Sequence, residues 1–465
     1  MRLSSLLAVV AMFVGSGLLS AGDEFPVSLE QASRALEQYV ARPDSAYRWK
    51  VRRTGRIGAT RYSELILTSQ VWRDIPWKHQ LFVLRPSRVR PDNRQALLLI
   101  AGGSWKDDYE SPAADDEPVP SDARRIAQLA EIMQTPIAVL LQVPRQPLFD
   151  GKHEDQIISY TFDRFVKTGD PSWPLLLPMV KSAVRAMDAT ADYCQQAWSL
   201  TVESFTLTGA SKRGWTTWLT GAVDSRATAI APMVIDVLNM KTHLQLQKKV
   251  WGEYSEQIAD YTEKGLPELM DSGPGAVLRA IVDPYSYRKR YRQPKLLLIG
   301  TNDRYWPVDA LNLYWKDLPQ PKYVLYIPNN GHGLKDAVRV MGTINALHQQ
   351  AAGNFRLPRV SWSLKTHADR MELEITSNRP AETVRAWVAI SPTRDFRNAQ
   401  WRSFPMKKSG QRYRYTLELP EEGYAALFGE TAYRDLTVPY FLSTTLQVAG
   451  RGAAAQTTAA PSESP

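Results

Sequence analysis

Short apolar runs, most of them leading into glycine and separated by helical patterns, constrain this chain more than any other feature. Ala96-Leu97-Leu98-Leu99-Ile100 leads into Gly102-Gly103-Ser104-Trp105, and Leu296-Leu297-Leu298-Ile299 leads into Gly300-Thr301-Asn302-Asp303. Ile137-Ala138-Val139-Leu140-Leu141-Gln142-Val143 follows a helical stretch, and Ser204-Phe205-Thr206-Leu207-Thr208 precedes Gly209-Ala210-Ser211. Runs that are apolar at nearly every position suit strands buried on both faces, as in parallel sheets covered by helices. Met179, Val180, Val184, Met187 and Ala191 recur at helical spacing, and residues 228–235 and 323–327 read as further strands. Alternating strands and helices predict the α/β class, with a doubly wound, mostly parallel sheet.

The alternation breaks twice. Between Val237 and Tyr291, Leu244, Val250, Trp251, Tyr254 and Ile258 follow a helical pattern, with Gly273-Pro274-Gly275 as a break. A helical insertion at about 237–291, just before the 295–300 strand, reads as a lid over a site at the strand ends. From about Leu357, Val360-Ser361-Trp362-Ser363-Leu364, Met371-Glu372-Leu373-Glu374-Ile375 and Tyr413-Arg414-Tyr415-Thr416-Leu417 alternate with period two. That predicts an antiparallel β-sandwich over 357–448, which would dock the protein or close one side of the cleft. Residues 449–465, rich in Gly, Ala, Thr, Ser and Pro, read as disordered.

At the other end, Arg2 precedes the apolar run from Leu6 to Val14 and a small-residue stretch to Gly22. This reads as a signal peptide over 1–21 and predicts a periplasmic or secreted protein, with 22–356 as the main domain and no transmembrane segment in the mature chain. Next, Ser28-Leu29-Glu30-Gln31 reads as a capping box opening a helix to about Val40, and residues 64–73 and 79–85 as strands.

Composition excludes several classes. With 465 residues and 44% hydrophobic content the chain is globular and large enough for more than one domain. One cysteine, Cys194, allows no internal disulfide, and it reads as a buried small apolar group. No cysteine–histidine zinc spacing exists. The net charge of +9 includes a cluster at Arg288-Lys289-Arg290, Arg292 and Lys295. It reads as a solvated turn, with an envelope polymer or anionic surface as the alternative partner. No nucleic-acid motif accompanies it.

Three strand ends carry chemistry. Ser211 stands between an apolar strand and a helix that begins near Trp215; such a turn projects a hydroxyl above the sheet. Asp303 follows the 296–299 run, and His332 sits in Asn329-Asn330-Gly331-His332-Gly333. The chain order Ser, Asp, His is that of α/β-hydrolases. In that reading Ser211 is the nucleophile, His332 the base and then the acid, and Asp303 the group that orients the imidazole, with Asp309 as its substitute. Of the other histidines, His79, His348 and His367 read as strand or helix surface residues. Oxyanion donors would be the N–H of Lys212 and that of Gly103 or Ser104. The elbow departs from G-x-S-x-G: Arg213 takes the second glycine's place and Gly214 follows it. Arg213 must therefore point outward, or the turn must differ. The Lys212 side chain reads as an added charge beside the oxyanion or as a solvent-facing lysine. Trp105 and Trp306 are the candidate pocket aromatics, and Glu154-Asp155 a receptor for a cationic group or an acidic helix start. This chemistry needs no cofactor or metal; its partner would be a small-molecule or peptide substrate.

With those residues in view, the chain resembles the PhoPQ-activated pathogenicity-related protein family of the α/β-hydrolase superfamily. The matching segments are Gln142-Val143-Pro144-Arg145-Gln146-Pro147-Leu148, the run from Pro178 to Asp188, Gly209-Ala210-Ser211-Lys212-Arg213-Gly214-Trp215, and Gly300-Thr301-Asn302-Asp303-Arg304-Tyr305-Trp306. The resemblance implies an exported hydrolase-like protein linked to virulence and envelope stress, without a settled substrate. A serine followed by a basic residue is also similar to the elbow of glucuronoyl esterases, where an arginine follows the serine; Lys212 departs from that. The competing reading is a non-catalytic binding or signalling protein on a hydrolase scaffold.

Overall fold

The computed structural model describes residues 25–114, 117–452 and 456–459. The expected signal peptide lies outside the described residues. Ser28 caps the first helix, α1 (Leu29–Ala41), in the capping box expected, its hydroxyl accepting from Gln31 N–H. Three antiparallel strands follow: β1 (Arg48–Ile57), β2 (Thr60–Trp72) and β3 (Ile75–Arg85). The wound core then runs β4 (Gln95–Ile100), α2 (Ala123–Met133), β5 (Ile137–Leu140), α3 (Glu154–Thr168), α4 (Leu176–Trp198), β6 (Ser204–Ala210), α5 (Lys212–Val223) and β7 (Ala227–Met233).

The insertion holds α6 (Met240–Trp251), α7 (Ala259–Thr262), α8 (Leu266–Leu269) and α9 (Gly273–Val282). Gly273-Pro274-Gly275, expected as a break, is instead the first turn of α9: Ser272 caps it by accepting from Gly275 N–H, and Pro274 needs no donor there. After the insertion come β8 (Lys295–Gly300), β9 (Lys322–Ile327) and α10 (Ala337–Ala351).

Strands β5, β4, β6, β7, β8 and β9 lie side by side and parallel, with β3 antiparallel at one flank. This is the expected α/β-hydrolase arrangement. Buried residues of α3, α4, α5 and α9 cover one face, and α2 and α10 cover the other. Leu98 and Leu207 are fully buried between these layers, each worth roughly 1.5–3 kcal/mol.

The C-terminal part is antiparallel, as expected, and one of its two layers runs on from the central sheet. Its strands are β10 (Val360–Thr366), β11 (Arg370–Ser377), β12 (Thr383–Ser391), β13 (Arg402–Pro405), β14 (Lys407–Ser409), β15 (Arg412–Glu418), β16 (Tyr424–Tyr433), β17 (Tyr440–Ser443), β18 (Gln447–Ala449) and β19 (Gln456–Ala459). One layer, β17-β16-β12-β13, continues the central sheet through an antiparallel contact of β17 with β9. The other, β14-β15-β11-β10-β19, packs on it through Leu364, Leu373, Ile375, Ala386 and Leu427. The tail expected to be disordered is corrected at β19, which pairs with β10 and supplies backbone partners to its open edge. Among the described residues no helix is long and apolar enough to cross a membrane. Arg288 and Arg290 of the basic cluster lie over the rings of Tyr285 and Tyr287, and Arg290 also meets Glu37.

Candidate active site

The strands point their carboxyl ends at one rim, and the three candidate loops emerge there. Ser211 sits between β6 and α5 with φ 58° and ψ −128°, a conformation that costs a side-chain-bearing residue of order 1–3 kcal/mol. Its neighbours hold it. Ser211 N–H donates to Met233 O at 2.9 Å, and Trp215 N–H donates to Ser211 O at 3.0 Å. A Cβ on Gly209 would fall 2.7 Å from Arg213 O, and one on Gly214 2.7 Å from Ile235 Cγ2. Gly214 thus supplies the clearance usually given one residue earlier.

Arg213 is free to carry a side chain because that side chain turns away from the elbow. Its guanidinium grips Glu154 with two bonds, 2.8 and 2.6 Å, and donates to Val143 O at 2.6 Å. It also fills the space above Gly102, where a Cβ would come within 2.5 Å of Nη2. The Lys212 side chain is not in solvent. Its buried ammonium meets Glu154 at 2.8 Å and Asp155 at 3.1 Å. Glu154 and Asp155 are therefore taken by the chain's own cations, not open to a cationic ligand. Burial pushes the Glu154 carboxyl up, but Arg213 and then Lys212 outweigh it and bring it down to about 2.

The backbone around this knot leaves donors open. Lys212 N–H is at the first position of α5 and has no intrahelical acceptor. Gly103 has φ +112°, favouring glycine there. Trp105 N–H is committed to Gln146 O at 2.9 Å. The side chain of Trp105 is buried against Tyr109 and bonded to Asp107, outside the pocket at Ser211.

Asp303 and His332 meet. His332 Nδ1–H donates to Asp303 Oδ2 at 2.8 Å, and Asp303 Oδ1 accepts from Tyr305 N–H at 3.0 Å. Asp309 instead pairs with Arg394. Tyr305 stacks on the imidazole, centroids 4.3 Å apart at 30°. The remaining nitrogen, Nε2, is buried and makes no hydrogen bond within the described residues, to Ser211 or otherwise. The two loops come together because Gly300 has no side chain: a Cβ would lie 2.5 Å from Asn330 O and 2.6 Å from Gly331 O.

Both loops are tied to the C-terminal part. Asn302 donates to Ala399 O at 2.7 Å. Asn329 donates to Trp401 O at 3.0 Å and accepts from Trp401 N–H at 2.8 Å. The insertion reaches the same corner, where its Glu256 bonds Arg304 and Arg397. Sequence reading missed this clamp, since its partners lie 72 to 97 residues apart.

Under the insertion, Ser211 and Lys212 open into a cavity of about 80 Å³. Its walls are mostly apolar, among them Trp215, Ile235, Met240, Leu244 and Trp306. Trp306, a candidate pocket aromatic, lines this cavity. His243 also lines it, missed by sequence because it sits mid-helix without a motif; it packs edge-on to Trp306, its Nε2 is unpartnered, and burial lowers its pKa to about 3. Tyr261 of α7 donates to Asp155 at 3.0 Å, joining the lid to the Lys212 knot. Behind the site, Asp236 accepts from Tyr314 at 2.6 Å, and burial, with the charge of Asp303, raises it to about 7.

Two surface readings are corrected. His79 and His348 are fully buried, bonded to Ser69 and Thr206 respectively, and burial lowers them to about 4 and 3. Cys194 is buried, which raises its thiol to about 12. Among the described residues no group of three or more His, Cys, Asp or Glu could hold a metal.

The family described as PhoPQ-activated pathogenicity-related protein matches residues 36–397. Autocrine proliferation repressor protein A of Dictyostelium discoideum is 30% identical over 437 residues, covering 86% of each chain. Acetyl xylan esterase from Paenibacillus sp. R4 is similar over 65% of this chain and 87% of its own, with TM-score 0.44 and 12% identity. A glucuronoyl esterase from Solibacter usitatus is similar over 65% of this chain and 88% of its own, with TM-score 0.38 and 14% identity.

Proposed function

The chain belongs to the PhoPQ-activated pathogenicity-related protein family, and we propose that it is an exported serine hydrolase that cleaves an ester or peptide bond through an acyl-enzyme. The observation that carries this is the strained Ser211 turn at the end of β6, on the same rim as an imidazole whose Nδ1 is fixed on a buried carboxylate. The Asp303 bond sets the tautomer that leaves Nε2 as an acceptor. Substrate entering under the lid brings Ser211 Oγ and His332 Nε2 together; such bonds are commonly open without substrate. Oγ then attacks the carbonyl carbon, Nε2 takes the hydroxyl proton, and Lys212 N–H with Gly103 or Ser104 N–H holds the oxyanion. Nε2 returns the proton to the leaving group, and water repeats the sequence to free the acid. Substitution Ser211→Ala is expected to lower the hydrolysis of activated esters by about 10⁴-fold or more, with an unchanged circular dichroism spectrum. Undiminished hydrolysis would sink the proposal.

A second reading is a binding or signalling protein on this scaffold. It is favoured by the relative's name, which describes a repressor of proliferation, and by the lack of a hydrogen bond from His332 Nε2 to Ser211. It predicts that ligand binding survives Ser211→Ala. Export is tested by sequencing the mature N-terminus from cells; an intact Met1 would count against it.

A further inference from the structure

A groove of about 690 Å³ also reaches the rim, with Ala210 and His332 among the residues that line it. Its floor is unusual for a doubly wound sheet. Strands β4 and β5 are buried throughout except at Leu99 and Val139, which pair in register, and both face this groove half-exposed. Central parallel strands are normally covered on both faces. Leu141 and, from α10, Met341 continue the apolar surface.

The two spaces flank the reacting atoms differently. Ser211 and Lys212 line the small lid cavity and His332 does not; His332 lines the groove and Lys212 does not. In the acyl transfer proposed above, on which this rests, Ser211 Oγ bonds to the acyl carbon and Lys212 N–H faces the acyl oxygen. The bond from that carbon to the leaving oxygen breaks, and His332 Nε2 delivers to the leaving oxygen the proton it took from Oγ. The acyl group therefore belongs beside Ser211 and the leaving group beside His332. We infer that the substrate joins a short apolar acyl group, held under the lid, to a long or bulky apolar leaving group, held in the groove.

Octyl acetate and ethyl octanoate test this directly, because they are isomers of equal composition that exchange the sizes of acyl and leaving group. Acid release by the wild-type protein is expected to give octyl acetate at least a tenfold higher kcat/KM. Leu99→Trp, and independently Met341→Trp from the helix side, should reduce that ratio at least fivefold. Two variants on different elements guard against one failing to fold. Equal rates, or preference for ethyl octanoate, would overturn the inference while leaving the serine hydrolase reading intact. Hydrolysis of neither isomer, nor of any activated ester, would remove both.

Discussion

Glu154 shows how far a single residue's role can lie from its sequence signal. An acidic residue at a helix start reads as a dipole partner, yet here it is the anchor that lets Arg213 occupy a position where elbows normally carry glycine. Its pKa falls from 4.5 to about 2 in the folded chain. A carboxyl depressed on folding stabilises fully above its unfolded value and loses that contribution as pH falls through its folded value. Stability of the wild-type protein should therefore decline from about pH 4.5 toward pH 2, and Glu154→Gln should be less stable at pH 7 with a flatter acid limb. Urea midpoints measured across that range decide it; parallel curves would contradict the anchor role. Ser211, Asp303 and His332 could be nominated from sequence because each stands at or shortly beyond the end of a strand that is itself legible. The environment of His79 and His348 was not legible, because burial of a polar residue depends on partners, Ser69 and Thr206, that local pattern does not reveal.

At the scale of elements, strands buried on both faces announced themselves, and strands defined by their neighbours did not. Residues of β1 are all exposed or half-buried and include five basic side chains in Arg-Trp-Lys-Val-Arg-Arg-Thr-Gly-Arg-Ile, so no apolar stripe marks it. Strand β16 is buried at nearly every position because two sheets and α10 enclose it, erasing period two. The loop at 396–401 carries no signal either, although it fixes both the acid and the histidine loops. Asn329→Ala removes two bonds to Trp401 and should cost about 1–3 kcal/mol. It should also lower kcat more than it raises KM, by up to about 100-fold, and shift the pH profile of kcat/KM. A stability loss with unchanged kinetics would show that the clamp only supports the fold.

At the scale of the whole molecule, the central sheet and the C-terminal strands share one sheet. A change from helical to alternating pattern near Leu357 reads as a boundary, but β17 joins β9 and Ser443 Oγ accepts from Tyr326 N–H at 3.1 Å. Phe441 N–H donates to Thr343 of α10 at 3.0 Å, so helix and sandwich also share a surface. Pairing between strands distant in sequence is set by edge complementarity, which a single chain's pattern does not display. Heating in a calorimeter should accordingly give one transition for both parts. Two separable transitions would mean that the sandwich is an independent module and that its hold on the catalytic loops is weak.

Whether His332 activates Ser211 is decided by a fluorophosphonate probe on the purified chain, with the modified peptide identified by mass spectrometry. Label is expected on Ser211 in the wild-type protein and none in His332→Ala. A folded wild-type protein that takes no label, or label that persists undiminished in His332→Ala, would contradict that activation.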